Sequence, residues 1–313
     1  MKMMNIITLT LNPAVDVHCR VRDFTPYREN LARIDLTEAG GKGINVSRAL
    51  TANGVSNTAF AVLGTENAAA FKDTLLADGL SLLCVTVEGR IRENITLHTD
   101  NAPETRISFE GFSADDSLLD EVENAVADKI DENTVVVFGG RAPAGVSLEA
   151  VKRMLRRFHA TGAKLVIDSR SLGRKDIAEL PVWLIKPNEE EIEEYSGEKV
   201  SCVEDAIRAA EGIKKDGVEN VMVSLGAGGA LLCCADGCYV ARAPKIEPLS
   251  TIGAGDSSIA GFLAAMARGE SYDGMLRNAV CFGTAACLTA GTRPPRAEDV
   301  SAMLPLVVVD KIY

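Results

Sequence analysis

Short, largely apolar runs recur along this 313-residue chain, and stretches of helical periodicity separate them. Runs at 6–11, 135–138 and 164–167 are largely apolar, with Thr8, Thr10 and Lys164 as their polar members, and further runs stand at 58–63, 182–185 and 221–224. A strand that is apolar on both faces has to be covered on both faces. A parallel sheet with helices above and below it meets that need. Between the runs, Val203, Ala206, Ile207, Ala210 and Ile213 hold a 3.6-residue period over three turns. The alternation predicts an α/β fold with a doubly wound, mainly parallel sheet and helices on both faces.

Two stretches break the alternation. Residues 15–21 with 32–37, and 91–98 with 104–109, read as strands with no helix between them. The second pair turns at Asn101-Ala102-Pro103, a hairpin signal. One reading is a small β-sheet built from two separated segments, a lid over the core; the other is an extension of the main sheet.

The charge balance bounds the partners. Lys and Arg number 33 against 44 Asp and Glu, for a net charge of −11, and no basic block interrupts the chain. Nucleic acid and anionic membranes are therefore not expected partners, and a phosphorylated ligand would need local cations. No apolar run approaches the ~20 residues of a membrane span, and the N-terminus runs straight into a strand pattern, so a cytoplasmic protein is expected. Eight cysteines form no disulfide framework. Cys233, Cys234 and Cys238 fall in a hairpin over 231–240 that turns at Ala235-Asp236-Gly237, and read as buried thiols without the companions of a zinc set. His18, His98 and His159 read as isolated.

Chemistry gathers at glycine turns and strand ends. Gly253-Ala254-Gly255-Asp256 leads into an apolar helix from Ser257 onward. Such a turn aims backbone N–H groups and the positive end of the helix dipole at one point, an anion site. A carboxylate at its edge makes sense as the acceptor of a proton from an attacking hydroxyl; Asp is equally a good first-turn residue. Gly40-Gly41-Lys42-Gly43-Ile44-Asn45 opens a second helix, with Lys42 able to meet a phosphate and Asn45 a hydroxyl. It is not a Walker loop, since Gly43 stands where Ser or Thr would follow the Lys. Asp16 follows a strand end and could accept sugar hydroxyls, or serve only a turn. Asn188 and Glu191, after Lys186-Pro187, read either as a helix cap or as holders of a hydrated Mg²⁺. Ser224-Leu225-Gly226-Ala227-Gly228-Gly229 is followed by a strand and not a helix, so it is no dinucleotide fingerprint.

Taken together and in this order, these residues resemble the ribokinase-like carbohydrate kinase superfamily over nearly the whole chain. The opening segment 8–16 with Gly43-Ile44-Asn45-Val46 is similar to its hexose-phosphate branch, the 1-phosphofructokinases and tagatose-6-phosphate kinases. The resemblance implies an α/β kinase core at 1–11, 38–89 and 113–313, and a discontinuous β-lid at 12–37 and 90–112. It implies ATP and Mg²⁺ and a small sugar phosphate as partner; lid strands with open edges often pair, so a homodimer through the lid strands is one expectation. It assigns Asp256 as catalytic base and Gly253, Ala254 and Gly255 as the anion hole. Asp16, Gly40, Gly41, Lys42, Asn45, Arg92 and Asn94 fall on the sugar side. Lys186, Asn188, Ser224, Gly226, Gly229, Thr251, Asn278 and Phe282 fall on the nucleotide side, with Asn188 and Glu191 toward the metal.

One segment departs from the branch. Phe138-Gly139-Gly140-Arg141-Ala142-Pro143 stands where the branch has Ser-Gly-Ser-Leu-Pro. Two hydroxyls are lost and an arginine is gained. Arg141 is accordingly a candidate for the substrate phosphate, with a solvated loop arginine as the alternative. The expected reaction is ATP-dependent phosphorylation of fructose 1-phosphate. Alternatives are a tagatose-6-phosphate kinase, a kinase for a neutral sugar or nucleoside, and a non-catalytic sensor on the same fold.

Overall fold

A computed structural model describes residues 4–101 and 103–313. Ala102, in the expected hairpin turn, and Met1 to Met3 lie outside the described residues. The chain opens with β1 (Asn5–Thr10), leaves it through β2 (Ala14–Val21) and β3 (Arg33–Gly40), and returns with β4 (Thr58–Gly64) and β5 (Leu82–Val87). It leaves again through β6 (Arg92–Thr99) and β7 (Thr105–Ser108). Then follow β8 (Thr134–Gly139), β9 (Lys164–Asp168), β10 (Val182–Ile185), β11 (Asn220–Ser224), β12 (Ala230–Cys234), β13 (Gly237–Arg242) and β14 (Val308–Lys311).

Ten of these strands form one sheet in the order β14-β13-β12-β11-β10-β9-β8-β1-β4-β5. From β11 to β5 every pairing is parallel; β12, β13 and β14 add an antiparallel edge. The period of two along each strand sorts its side chains into two cores. Ile7, Leu9, Val136 and Phe138 pack on one face; Ile6, Val135 and Val137 pack on the other. Both clusters are closed by helices, which is why the runs are largely apolar on both faces.

The remaining four strands form a separate sheet, β3-β2-β6-β7, so they do not extend the main one. β2 pairs antiparallel with β3 and parallel with β6, joining two segments far apart in sequence. The short strand β14 has no counterpart in the sequence reading; only four residues long, it takes its place by pairing with β13.

Two expectations are corrected. Cys233 and Cys238 are not separate thiols: they face each other across the β12–β13 hairpin and form a disulfide. The hairpin register puts the two side chains opposite one another, which their spacing alone did not reveal. His18 and His98 are not isolated either. Their rings stack at 5.5 Å, and His18 Nδ1 lies 3.1 Å from His98 Nε2, because β2 and β6 run side by side.

The fold gathers the candidate residues at one edge. The chain crosses from β1 to β4 and β5 on one side, and to β8 and its successors on the other. The crevice at such a reversal, beyond the C-terminal ends of the strands, is where ligands bind in these sheets. Thr10, Gly139, Asp168, Ile185 and Ser224 end their parallel strands at that edge.

Candidate active site

The helix Ala254–Ala267 begins on Gly253, whose φ of 79° and ψ of −3° place it in the left-handed region. A side chain there would be strained, so glycine permits the turn. The N–H of Ala254 turns back to Thr251 O at 3.4 Å and that of Ser257 to Gly253 O at 2.9 Å. Those of Gly255 and Asp256 have no backbone acceptor among the described residues. Lys186 reaches the same turn: a Cβ placed on Gly255 would lie 3.0 Å from its Nζ. Two free N–H groups, a helix N-terminus and an ammonium thus converge on one point, suited to an anion.

Asp256, 7 % exposed, accepts a hydrogen bond from Asn45 Nδ2 at 2.8 Å. Its pKa is raised to about 6. Burial is the main cause and the charge of Asp168 adds to it, while Lys42, the Asn45 hydrogen bond and Lys186 pull the other way. A carboxylate tuned to that value is ionised at neutral pH and still basic enough to take a proton.

Lys42 opens the helix Lys42–Ala52, and its Nζ lies 2.8 Å from Asp168 Oδ1. Burial works against the lysine charge, but Asp168, Asp256 and Glu191 outweigh it and its pKa is raised. Asp168 is held below the usual carboxylate range: burial opposes this, and Lys186, Lys42 and Arg170 overcome it. Its Oδ2 lies 3.9 Å from Lys186 Nζ, so one buried carboxylate positions two candidate ammonium groups. The sequence reading passed over Asp168, although it stands one residue beyond an apolar run, at a strand end like the others.

The glycines of the Gly40–Gly43 turn serve close packing within the chain. A Cβ on Gly40 would meet Asp16 Oδ2 at 2.1 Å, and one on Gly43 would meet Thr10 Oγ1 at 2.6 Å. The turn is thereby pressed onto β1 with Lys42 and Asn45 facing Asp168 and Asp256. Gly41, at φ 134°, caps the helix.

On the sugar side, Asp16 Oδ1 accepts from Asn94 Nδ2 at 2.7 Å and from Arg106 Nη2 at 3.4 Å. Arg92 Nη1 donates to Asn94 Oδ1 at 3.3 Å. Arg92 has a lowered pKa, first from burial, then from the nearby charge of Arg141; Asp16 opposes this and Arg106 adds to it. Arg141 is exposed, on a loop whose Gly139 abuts Lys42 and Gly43 and whose Ala142 O accepts from Asn12 Nδ2 at 3.3 Å. Asp16, Asn94, Arg92 and Arg141 are thus brought together. Arg106 joins them without having been expected, because only the β6–β7 register carries it there.

Beyond the glycine turn lies a cavity of about 680 Å³. Lys186, Asn188, Ser224, Gly226, Gly229 and Thr251 line it. Asn278 and Phe282 are not among the residues that line it. Asn278 accepts from Arg268 and donates to Glu270 and to Gly274 O, and Phe282 is buried against Gly261 in the core. The same helix, Tyr272–Ala286, instead turns Val280, Gly283 and Thr284 to the cavity, followed by Cys287.

Asn188 and Glu191 form a reciprocal cap. Asn188 Oδ1 accepts from Glu191 N at 2.8 Å, Glu191 Oε2 from Asn188 N at 3.0 Å, and Glu191 Oε1 from Arg170 Nε at 2.7 Å. Each oxygen already has a protein donor. The pair fits a hydrated cation reached through water, using the lone pairs that remain, and not a directly bound one.

Known proteins share this architecture. The profile of the family described as pfkB family carbohydrate kinase matches residues 12–299. The chain is 30% identical to a 1-phosphofructokinase of Escherichia coli (strain K12) over 302 residues, covering 96% of this chain and 97% of that one. It is 37% identical to a 1-phosphofructokinase of Haloferax volcanii over 300 residues, covering 94% and 95%. The crystal structure of phosphofructokinase-2 from Escherichia coli in complex with fructose-6-phosphate superposes with a TM-score of 0.89, at 26% identity, over 97% of this chain and 99% of that one.

Proposed function

The chain belongs to the pfkB family of carbohydrate kinases, and we propose that it acts as a 1-phosphofructokinase, moving the γ-phosphoryl group of ATP to fructose 1-phosphate. The observation that carries this reading is the position of Asp256. It lies in the first turn after the Gly253 anion turn, hydrogen-bonded to Asn45 of the sugar-side helix, with the 680 Å³ cavity beyond the turn.

In this mechanism Asp256 accepts the proton of the attacking hydroxyl, and Asn45 orients its carboxylate. The N–H groups of Gly255 and Asp256, with Lys186, meet the charge that develops on the phosphoryl group in flight. Lys42, anchored by Asp168, and the arginines near Asp16 hold the phosphorylated sugar. The cavity takes the rest of the nucleotide. A hydrated magnesium ion, held through water by Glu191 and Asn188, would shield the polyphosphate charge.

The small sheet acts as a lid, with segments 12–37 and 90–112 closing over the sugar and excluding water from the transfer. Its exposed Ile34, Ile107 and Phe109 support pairing of two lids in a homodimer. No helix among the described residues is long and apolar enough to cross a membrane. Dependence on ATP favours a cytoplasmic setting.

Coupled ADP release tests the reading with fructose 1-phosphate, fructose 6-phosphate, tagatose 6-phosphate, fructose and ribose. The highest kcat/KM is expected for fructose 1-phosphate. Preference for a neutral sugar would overturn the phosphate assignment, and preference for tagatose 6-phosphate would move the protein to the other half of the branch.

A further inference from the structure

Resting on the sugar-phosphate kinase reading above, we propose that Arg106 is a specificity-determining residue, which with Arg92 and Arg141 reads the phosphate already present on the sugar. Register carries the placement. Asp16 of β2 lies opposite Asn94 of β6, and Thr96 of β6 lies opposite Arg106 of β7. The pleat sends all four side chains to one face of the small sheet. The guanidinium of Arg106 thereby crosses β6 to the sugar-side carboxylate.

Its contact there is slight. Nη2 meets Asp16 Oδ1 at 3.4 Å, whereas Asn94 already supplies that oxygen with a donor at 2.7 Å. The side chain is 47% exposed, so the protein leaves part of its planar fork uncovered. Asp16 has a buried donor without it, and pinning Asp16 does not account for an arginine at this position.

Charge points to the ligand. Arg106 and Arg141 both act on Arg92, and among the charges that act on it Asp16 is the one carboxylate. Arg92 Nε is buried and has no hydrogen-bond partner among the described residues. Three guanidinium groups against one carboxylate leave an excess of two positive charges, in a chain whose net charge is −11. They repel one another until an anion arrives. A sugar phosphate, carrying roughly −1.5 to −2 at neutral pH, matches that excess, and the arginine fork matches its oxygens.

The test compares wild type with Arg106→Gln and Arg106→Lys, measuring kcat and KM for fructose 1-phosphate, fructose and ATP, with dissociation constants of both sugars by calorimetry. Arg106→Gln is expected to weaken fructose 1-phosphate about ten- to a hundredfold, the scale of one charge-assisted hydrogen bond, and to leave fructose and ATP unchanged. Arg106→Lys should recover part of the loss, keeping the charge without the fork. Equal changes for both sugars would make Arg106 a structural pin and overturn the inference; so would no change. A wild type that phosphorylates no sugar phosphate overturns the functional reading and this inference together. A wild type selective for fructose 1-phosphate, with an indistinguishable Arg106→Gln variant, overturns the inference alone.

Discussion

Lys42 Nζ lies 2.8 Å from Asp168 Oδ1, and this half-buried pair adjusts the charge felt by Asp256. Burial does most to raise the Asp256 pKa. Asp168 raises it further, and Lys42 lowers it. One pair therefore contributes both signs to the tuning of the proposed base, while Asn45 adds a third, lowering influence through its hydrogen bond.

A pH profile separates these influences. If Asp256 must be ionised, kcat/KM falls as pH drops through about 6. Asn45→Ala removes a hydrogen bond to the ionised form, so its acidic limb should move to higher pH. Asp168→Asn removes a repelling charge, so its limb should move to lower pH. The substrate phosphate titrates identically in all three proteins, so differences between profiles belong to the enzyme. Limbs that coincide, or move in the same direction, would contradict the assignment.

Stability should respond to the same group. The folded pKa of about 6 lies above the unaltered 3.8. The stabilisation linked to this shift is present in full below the lower value and lost as pH rises through the higher one. At pH 8 the buried charge of Asp256 therefore weighs against folding. Asp256→Asn should raise the thermal midpoint at pH 8 by an amount reflecting on the order of 2–3 kcal/mol, and the gain should shrink toward pH 4. A gain independent of pH would contradict this.

The Gly40–Gly43 turn gives a steric prediction. A methyl group on Gly43 would lie 2.6 Å from Thr10 Oγ1 and 2.9 Å from Leu9 O. The second neighbour is backbone in a central strand and cannot yield cheaply. Gly43→Ala should cost about 1–3 kcal/mol in denaturant unfolding and reduce activity by displacing Lys42 and Asn45. A fully stable, fully active variant would show that the turn has room.

The nucleotide cavity gives a paired prediction. Cys287 lines it, whereas Asn278 is tied to Arg268, Glu270 and Gly274. Cys287→Phe should raise the KM for ATP with little effect on the sugar. Asn278→Ala should lower the thermal midpoint and leave the KM for ATP in place. The reverse pattern would assign Asn278 to the nucleotide site.

These contrasts mark what the sequence could express. The parallel core was legible because runs such as 135–138 are apolar on both faces. The two glycine turns were legible because their spacing to the following helices is local. Arg106 was not: its place depends on strand pairing between 92–99 and 105–108, and register is not written in either segment alone. Which residues of 278–283 face the cavity was not legible either: every residue from Asn278 to Ala286 is buried, so periodicity could not tell the cavity face from the core face. The Cys233–Cys238 bridge was missed for the reason Arg106 was: two side chains meet only through hairpin register. Asp168 was within reach, as a carboxylate directly after an apolar run, and was passed over because no glycine or proline marked it.

Steady-state and binding measurements on Asp256→Asn test the central claim most directly. With ATP and fructose 1-phosphate at saturation, kcat should fall by ~10²–10⁴-fold, the usual loss on removing a general base. The dissociation constant for ATP should stay unchanged, since the turn from Gly253 to Gly255 remains. A variant that binds ATP normally and keeps near-wild-type kcat would contradict the account, and would leave Asp256 as no more than the first-turn residue of its helix.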